Sequence, residues 1–216
     1  MKLYTHPFSP NGRKVLGVAA HAGVDLEIET IDLRAGEQKK PEFLAINPNG
    51  KIPVLVDGDT TLWESNAIAC YVAGSTDSDL WPKSNQRYDI LRWAFWETNH
   101  WSKAIFLVIS QRIFNADNPD MATIEKGLAE FRGYAAVMDS HLTGRDYLSG
   151  DGLTVADFVV GVWLGFTEIC ELPIPEFANV QRWYDGLKAQ PVWQGMLPPR
   201  PYPTTGRPSR GNRNDD

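Results

Sequence analysis

The chain has 216 residues, of which 43% are hydrophobic and 22% are charged. This composition is typical of a folded globular protein and excludes a wholly disordered chain. The formal net charge is −6, with 21 basic against 27 acidic side chains, which argues against a nucleic-acid partner held by bulk charge. No apolar stretch approaches the ~20 residues that a membrane span needs, and no amino-terminal run has the form of a secretory signal.

The number and spacing of the cysteines and histidines argue against a disulfide scaffold and against a metal site. Two cysteines, Cys70 and Cys170, cannot form a disulfide scaffold, so we expect a reducing, cytoplasmic location. The four histidines lack the spacing of metal ligands and have no cysteine partners nearby. We therefore expect no metal site and no permanently bound cofactor.

The first part of the chain alternates between strand and helix patterns. Period-two runs predict strands, and capped runs with helical spacing predict helices. The predicted elements are a strand at 1–4, a helix over 12–22 capped by Asn11 and ended by Gly23, a strand at 26–29, a helix over 41–46, strands at 52–56 and 61–63, and a helix over 66–73 capped by Ser65. The crossing helix makes the first two strands parallel, and the Asp57-Gly58 turn makes the last two an antiparallel hairpin. A four-stranded mixed sheet with helices on its faces follows.

The later part of the chain is predicted to be helical throughout. Residues 85–114 include neither Gly nor Pro and are long enough for a helix of about eight turns. Between residues 121 and 142, apolar side chains recur every three or four positions, which predicts a helix with one buried face. Thr154 and Asp157 have capping-box spacing before an almost wholly apolar helix. Two further helical stretches are predicted at 176–189 and 192–196.

These patterns divide the chain into four parts. The parts are a strand-and-helix domain over 1–76, a linker over 77–86, an all-helical domain over 87–197 and a Pro-rich tail over 198–216. The tail contains no aliphatic side chain with which to build a core, so we expect it to be disordered.

The loop after the first strand places polar groups at the start of the first helix, where free N–H groups and the helix dipole favour an anion. Ser9 and Asn11 offer a hydroxyl and an amide that could donate to a thiolate brought by a substrate, and Gly12 rules out a Cys-x-x-Cys pair. Arg13 and Lys14 are unfavourable in a first helical turn unless an anion lies in front of it. The alternative is that Ser9 and Asn11 only cap the helix.

Two further segments suit parts of a bound peptide. If the Ile52–Pro53 bond is cis, it exposes the Ile52 backbone to an extended peptide; an ordinary trans proline at a strand edge is the alternative. The Ser65 hydroxyl and the free N–H groups of its helix can hold a carboxylate, and Glu64 can accept from an ammonium group. The pair would suit an α-amino acid end, whereas a plain cap beside a solvated glutamate is the alternative.

The order and spacing of these segments resemble the glutathione transferase superfamily of the cytosolic type over residues 1–197. The most specific stretches are GEQKKPEFL at 36–44, NPNGKIPVL at 47–55 and ESNAI at 64–68, supported by LTVAD at 153–157. The resemblance implies an N-terminal thioredoxin-like βαβαββα domain followed by an all-α helical domain. It also makes Thr154 and Asp157 structural, as part of the superfamily's folding box.

The resemblance implies a binding site for the tripeptide glutathione, γ-Glu-Cys-Gly, as the co-substrate. Glu64 and Ser65 would take the γ-glutamyl ammonium and carboxylate. The Ile52 backbone would pair with the cysteinyl part, ahead of Pro53, which the family keeps cis. The positions at which the family binds the glycyl carboxylate are Gln38, Lys39 and Lys51.

The reacting atom would be the glutathione sulfur, whose free thiol has a pKa of ~8.5. Lowering that pKa by about two units takes ~2.7 kcal/mol of preferential thiolate stabilisation, which a donor, a helix start and Arg13 could supply together. The sequences HPFS at 6–9 and GEQK at 36–39 resemble the phi class, in which the serine serves. SPNG at 9–12 resembles the nu class, in which an asparagine contacts the sulfur. We place Ser9 first and Asn11 second.

A second substrate needs a pocket between the two halves, walled by the long helix. The candidates for that wall are Trp93, Trp96, Trp101, Ile105 and Phe106, and the alternative is that these side chains form core. The resemblance implies a cytoplasmic, homodimeric glutathione transferase that acts on a small electrophile. Glutathione-dependent disulfide reduction is one alternative, and a non-enzymatic accessory role with the same fold is another.

Overall fold

The computed structural model of the protein describes residues 1–200. Its strands and α-helices are β1 (Lys2–Thr5), α1 (Pro10–Ala22), β2 (Glu27–Thr30), α2 (Pro41–Ile46), β3 (Val54–Asp57), β4 (Thr60–Trp63), α3 (Ser65–Gly74), α4 (Gln86–Trp96), α5 (Ser102–Arg112), α6 (Met121–His141), α7 (Val155–Gly161), α8 (Thr167–Cys170) and α9 (Ala178–Lys188). A π-helical turn at Glu97–Trp101 joins α4 to α5. Most of the predicted tail, residues 201–216, lies outside the described residues. None of the described helices is long and apolar enough to cross a bilayer.

The four strands form one mixed sheet in the order β2-β1-β3-β4. β1 pairs with β2 in parallel, and the other two pairs are antiparallel. This arrangement confirms the prediction, because α1 crosses between the parallel strands and a two-residue turn joins β3 to β4.

The two faces of the sheet pack against different layers, because alternate side chains of a strand point to opposite faces. Leu3 and Leu55 are fully buried and join the large core that includes α1 and α3. Tyr4 and Val54 point the other way and pack with Phe43 of α2 in a smaller cluster. The Tyr4 and Phe43 rings meet edge to face at 6.3 Å.

Two helices begin at different residues from those predicted. α1 begins at Pro10 and is capped by Ser9, whose Oγ accepts from the Gly12 N–H at 3.2 Å. The prediction of Asn11 as the cap is wrong because proline is suited to the first helical position, which moves the cap back to Ser9. α3 begins at Ser65 itself, so the residue in the capping position is Glu64.

The helical half follows its apolar patterns closely. Every residue of α7 is buried, as expected for a helix that is apolar nearly all round. The long helix predicted at 85–114 is present as α4, the π-helical turn and α5. α6 buries one face, although its first residue, Met121, is 55% exposed. The stretch predicted as helical at 192–196 forms a 3₁₀ segment, Pro191–Met196, in place of an α-helix.

The capping box predicted at the start of α7 is present. The Asp157 carboxylate accepts from the Thr154 N–H at 3.0 Å, and from the Leu148 N–H and Trp183 Nε1 at 2.9 Å each. Burial raises the pKa of this carboxyl group, and the hydrogen bonds oppose that rise. Asp157 therefore ties α7 to α9 and to the loop that precedes α7.

Replacement of Asp157 by alanine is expected to lower the free energy of unfolding by about 3 kcal/mol, because several buried donors lose their acceptor. Asp120→Ala is the matched control, since it removes the exposed N-cap of α6 and should cost about 1 kcal/mol. Urea unfolding followed by circular dichroism measures both variants. Equal losses would contradict the role given to burial at Asp157.

Candidate active site

The starts of two helices touch each other at one corner of the molecule. Ser65 Oγ, at the start of α3, donates to Asn11 Oδ1, in the first turn of α1, at 3.2 Å. Both helices present free N–H groups and the positive end of their dipoles here, so the place favours negative charge. We call Ser9, Asn11, Glu64 and Ser65 the helix-start corner. The structure thus brings predicted site residues from two separate segments together.

Ser9 and Asn11 each keep a donor for an incoming group. The Ser9 hydroxyl accepts from the Gly12 N–H as the helix cap, and its own hydrogen can still be donated. The Asn11 side-chain oxygen accepts from Ser65, so this contact does not use the two amide N–H donors of Asn11. Capping and donation to a ligand are therefore compatible at Ser9.

Gly12 packs so closely against Thr5 that the site has no room for a second side chain. A Cβ atom built on Gly12 would lie 1.8 Å from Thr5 Oγ1. Thr5 is only 2% exposed, so it cannot move aside freely. This packing adds a steric reason why position 12 carries no cysteine.

Glu64 has an unusual backbone conformation with a positive φ, at φ 73° and ψ 106°. A residue with a side chain adopts this conformation at a cost of about 1–3 kcal/mol, and such residues cluster at ligand sites. The conformation leaves the Glu64 side chain exposed immediately before the first turn of α3.

A second group of candidates surrounds the loop that precedes β3. Lys39 Nζ lies over Gly50, since a Cβ atom built there would come within 2.7 Å of it. The same built atom would lie 2.9 Å from the backbone oxygen of Gln38. Asn47, which is 2% exposed, shapes the loop by donating from Nδ2 to the Lys51 carbonyl at 2.7 Å. Gln38, Lys39 and the Lys51 loop are therefore neighbours.

The Ile52–Pro53 peptide bond is cis. It lies directly between Lys51 and the start of β3. Pro53 is buried and Ile52 is half-buried.

Arg13 and Lys14 do not balance an anion ahead of α1. Arg13 is 2% exposed, donates from Nη1 to the Met196 carbonyl and lies over the Phe166 ring at 5.0 Å. Lys14 is fully buried, and its Nζ lies 3.0 Å from Glu97 Oε2. These contacts correct the expectation, because both side chains point into the interface with the helical half.

Comparison with known proteins identifies the family. Models of the glutathione S-transferase N-terminal and C-terminal domains match residues 1–74 and 121–186. Glutathione S-transferase 3 of Zea mays is 33% identical over an alignment that covers 94% of this chain and 96% of the maize protein. The chain belongs to the glutathione S-transferase family. It is a transferase, and the non-enzymatic alternative is set aside.

Solved structures of glutathione transferases share the fold. The theta class enzyme of Xanthomonas axonopodis pv. citri, with glutathione bound, is 30% identical with a TM-score of 0.84, over 91% of this chain and 96% of that one. A Phanerochaete chrysosporium glutathione transferase, in complex with oxidized glutathione, is 31% identical with a TM-score of 0.80, over 90% and 95%. The thioredoxin-like domain followed by a helical domain is confirmed.

Three of the five acceptor-wall candidates of this glutathione S-transferase are core residues. Trp93 is 4% exposed, and Trp101 and Ile105 are fully buried, so the structure corrects their assignment. Side chains that line a pocket and side chains that face the core have the same helical spacing, and these three face the core. Trp96 is half-buried, and Phe106 is 49% exposed.

Several residues beside these candidates could not be predicted from the sequence. Phe114 is 47% exposed, and its ring lies 6.3 Å from that of Phe106. Asn66 and Glu97 engage the buried Lys14. A lysine among the apolar residues of α1 was the available signal for a buried acidic partner, because a buried charge needs one.

The transferase has two free cysteines, of which Cys170 is buried and Cys70 is half-buried. Burial raises the pKa of Cys70 and of Cys170 to about 12 in each case. Both thiols are therefore protonated near neutral pH, and a protonated thiol is a poor nucleophile.

Alkylation of Cys70 and Cys170 in the folded protein should be about three orders of magnitude slower than that of free cysteine at pH near 7.5, because so little thiolate is present at a raised pKa. Mass spectrometry after timed exposure to iodoacetamide measures the rate. The guanidinium-unfolded protein serves as the control. A folded-state rate close to the unfolded one would contradict the shift in pKa.

Proposed function

We propose that this glutathione S-transferase binds glutathione at the helix-start corner and holds its thiol as the thiolate for attack on an electrophilic small molecule. The contact between Asn11 and Ser65 carries the proposal, because it joins two helix starts into one place that favours negative charge. The bound glutathione of the Xanthomonas neighbour supports the same ligand here.

The charges of the tripeptide match the groups around the corner. Ser65 and the first N–H groups of α3 would hold the γ-glutamyl carboxylate, and the exposed Glu64 would accept from the ammonium group. The backbone of Ile52, before the cis Pro53, would pair with the cysteinyl part. The residues proposed for the glycyl carboxylate are Gln38, Lys39 and Lys51. Two anionic ends thus meet donors, and the cationic end meets an acceptor.

In this proposal, the thiolate is stabilised by neutral hydrogen-bond donors and by the N-terminus of the helix. Arg13 lies over Phe166 and bonds the Met196 carbonyl, so we assign it no part in ionising the thiol. A hydrogen bond to a charged group contributes about 1.5–3 kcal/mol, and a helix N-terminus about 0.3–1 kcal/mol. Together these reach the ~2.7 kcal/mol needed for a shift of two pKa units, with the donor as the larger part. The thiolate then attacks the electrophilic carbon, and the leaving group departs with its electron pair.

The second substrate would be apolar. Phe106 and Phe114 expose adjacent aromatic rings on and just after α5, and Trp96 is half-buried on α4. We propose Phe106, Trp96 and Phe114 as its contacts.

The proposed activity predicts saturable conjugation of glutathione to a chlorodinitrobenzene acceptor. Calorimetry should detect glutathione binding in the same preparation. The absence of binding at millimolar glutathione would refute the proposal.

Ser9→Ala is expected to raise the pKa of the bound thiol by about one unit and to lower kcat/KM for glutathione roughly tenfold, because it removes a hydrogen bond made to the thiolate. Asn11→Ala should have the smaller effect on that pKa. The ultraviolet absorbance of bound thiolate across a pH series measures both. The reverse order of effects would assign the donor to Asn11.

Glutathione-dependent disulfide reduction is the second candidate. The oxidized glutathione of the Phanerochaete neighbour is itself a disulfide, and Asn11 offers the amide donor of the nu class. Turnover of a mixed disulfide with little conjugation would select this activity.

Three broader predictions accompany the proposal. We propose a homodimer, for which the exposed Tyr88 and Phe95 of α4 supply large apolar side chains. A cytoplasmic location stays a prediction. The domain division at 76 and 87 also stays one, although α3 ends at Gly74 and α4 begins at Gln86.

A further inference from the structure

A lysine and a glutamate meet deep between the two halves of the molecule. The Lys14 and Glu97 side chains are 1% and 2% exposed, and Nζ lies 3.0 Å from Oε2. Burial lowers the pKa of Lys14, and the Glu97 carboxylate opposes that change. A buried ion pair is seldom more stabilising than two apolar side chains of the same size, so stability alone does not account for this one.

Asn66 completes a closed ring with the two charges. Lys14 Nζ donates to Asn66 Oδ1 at 2.9 Å, and Asn66 Nδ2 donates to Glu97 Oε2 at 2.9 Å. The other carboxylate oxygen of Glu97 accepts from Trp163 Nε1 at 2.6 Å. The ring therefore fixes the Asn66 amide from two sides and anchors it to the helical half.

In both α1 and α3, the residue of the ring lies close in sequence to a residue of the helix-start corner. Asn66 directly follows Ser65 in α3, and Lys14 lies one helical turn after Asn11 on α1, on the same face. Ser65 bonds to Asn11 while Asn66 bonds to Lys14. Two consecutive residues of α3 are thus held against two successive turns of α1.

The helical half supplies its part of the ring from an irregular turn. Glu97 is the first residue of the π-helical turn, and Asn66 Nδ2 also donates to the Ala94 carbonyl at 2.8 Å, just before that turn. Such turns inside α-helices are frequent at functional sites. The Asn66 amide therefore donates both to the residue that begins the π-helical turn and to the backbone just before it.

We propose that Lys14, Asn66 and Glu97 are positioning residues, which hold the starts of α1 and α3 in the geometry that binds glutathione and ionises its thiol. This inference rests on the proposed function of the helix-start corner. None of the three side chains needs to touch the tripeptide, because they act through Asn11 and Ser65.

The neutral-pair variant Lys14→Met/Glu97→Gln tests the proposal. It removes both charges together, so no unpaired charge is buried, and the new amide oxygen can still accept from Trp163. The new amide nitrogen replaces the oxygen that accepts from Asn66, so the ring at Asn66 is broken. We expect a thermal midpoint close to that of the wild type, a Kd for glutathione raised about tenfold and a higher pKa of the bound thiol. KM for the electrophile should not change.

The control is Arg132→Met/Glu176→Gln, which neutralises an exposed ion pair of the helical half. It should leave glutathione affinity and the bound-thiol pKa at the wild-type values. Asn66→Ala is the second variant, since it keeps the ion pair and decides the matter if the neutral pair does not fold. It is expected to show the same tenfold loss of affinity.

The outcomes separate the two proposals. A wild-type protein that binds no glutathione overturns both. A wild type that binds, together with folded variants of unchanged affinity and bound-thiol pKa, overturns the positioning role alone. A loss of affinity in the Arg132/Glu176 control equal to that of the neutral pair also overturns it, because the effect would then be general.

Discussion

The buried carboxylate of Glu97 connects the helical half of this enzyme to α1 and α3 of the other half. It accepts from Lys14 of α1 and Asn66 of α3 on one side and from Trp163 on the other. A charge without water needs each of these partners, because removal of one leaves the rest uncompensated. The helical half thereby fixes how α1 and α3 lie beside each other, and the helix-start corner is formed from those two helices.

Most of the fold was predictable because its signals are local. The Asp57-Gly58 turn indicates the hairpin of β3 and β4, and the crossing helix α1 makes β1 and β2 parallel. The apolar run of α7 indicates a fully buried helix. The error in the α1 cap is also local, since the preference of proline for the first helical position outweighed the capping tendency of Asn11.

The site was predictable only where a residue's role follows from its own segment. Ser65 is marked by its helix start, and the cis form of Ile52–Pro53 follows the family resemblance. The role of Lys14 depends on a glutamate 83 positions away, which no local pattern contains. Similarly, helical spacing puts Trp101 and Phe106 on the same helix but does not say which face of that helix is covered, and one is buried while the other is exposed.

The pKa of a thiol depends on its surroundings in this fold, and it differs between the protein's own cysteines and the proposed substrate thiol. Burial raises the pKa of Cys70 to about 12, although the charge of Arg87 opposes the rise, and the thiol stays protonated near neutral pH. At the helix-start corner the proposed substrate sulfur meets dipole ends and neutral donors, which lower a thiol pKa. The basic side chains of the first turn are engaged elsewhere, Arg13 with the Met196 carbonyl and Lys14 with Glu97. The proposed ionisation of the substrate thiol would therefore depend on how well the neutral donors are positioned, because both basic side chains of that turn are engaged elsewhere.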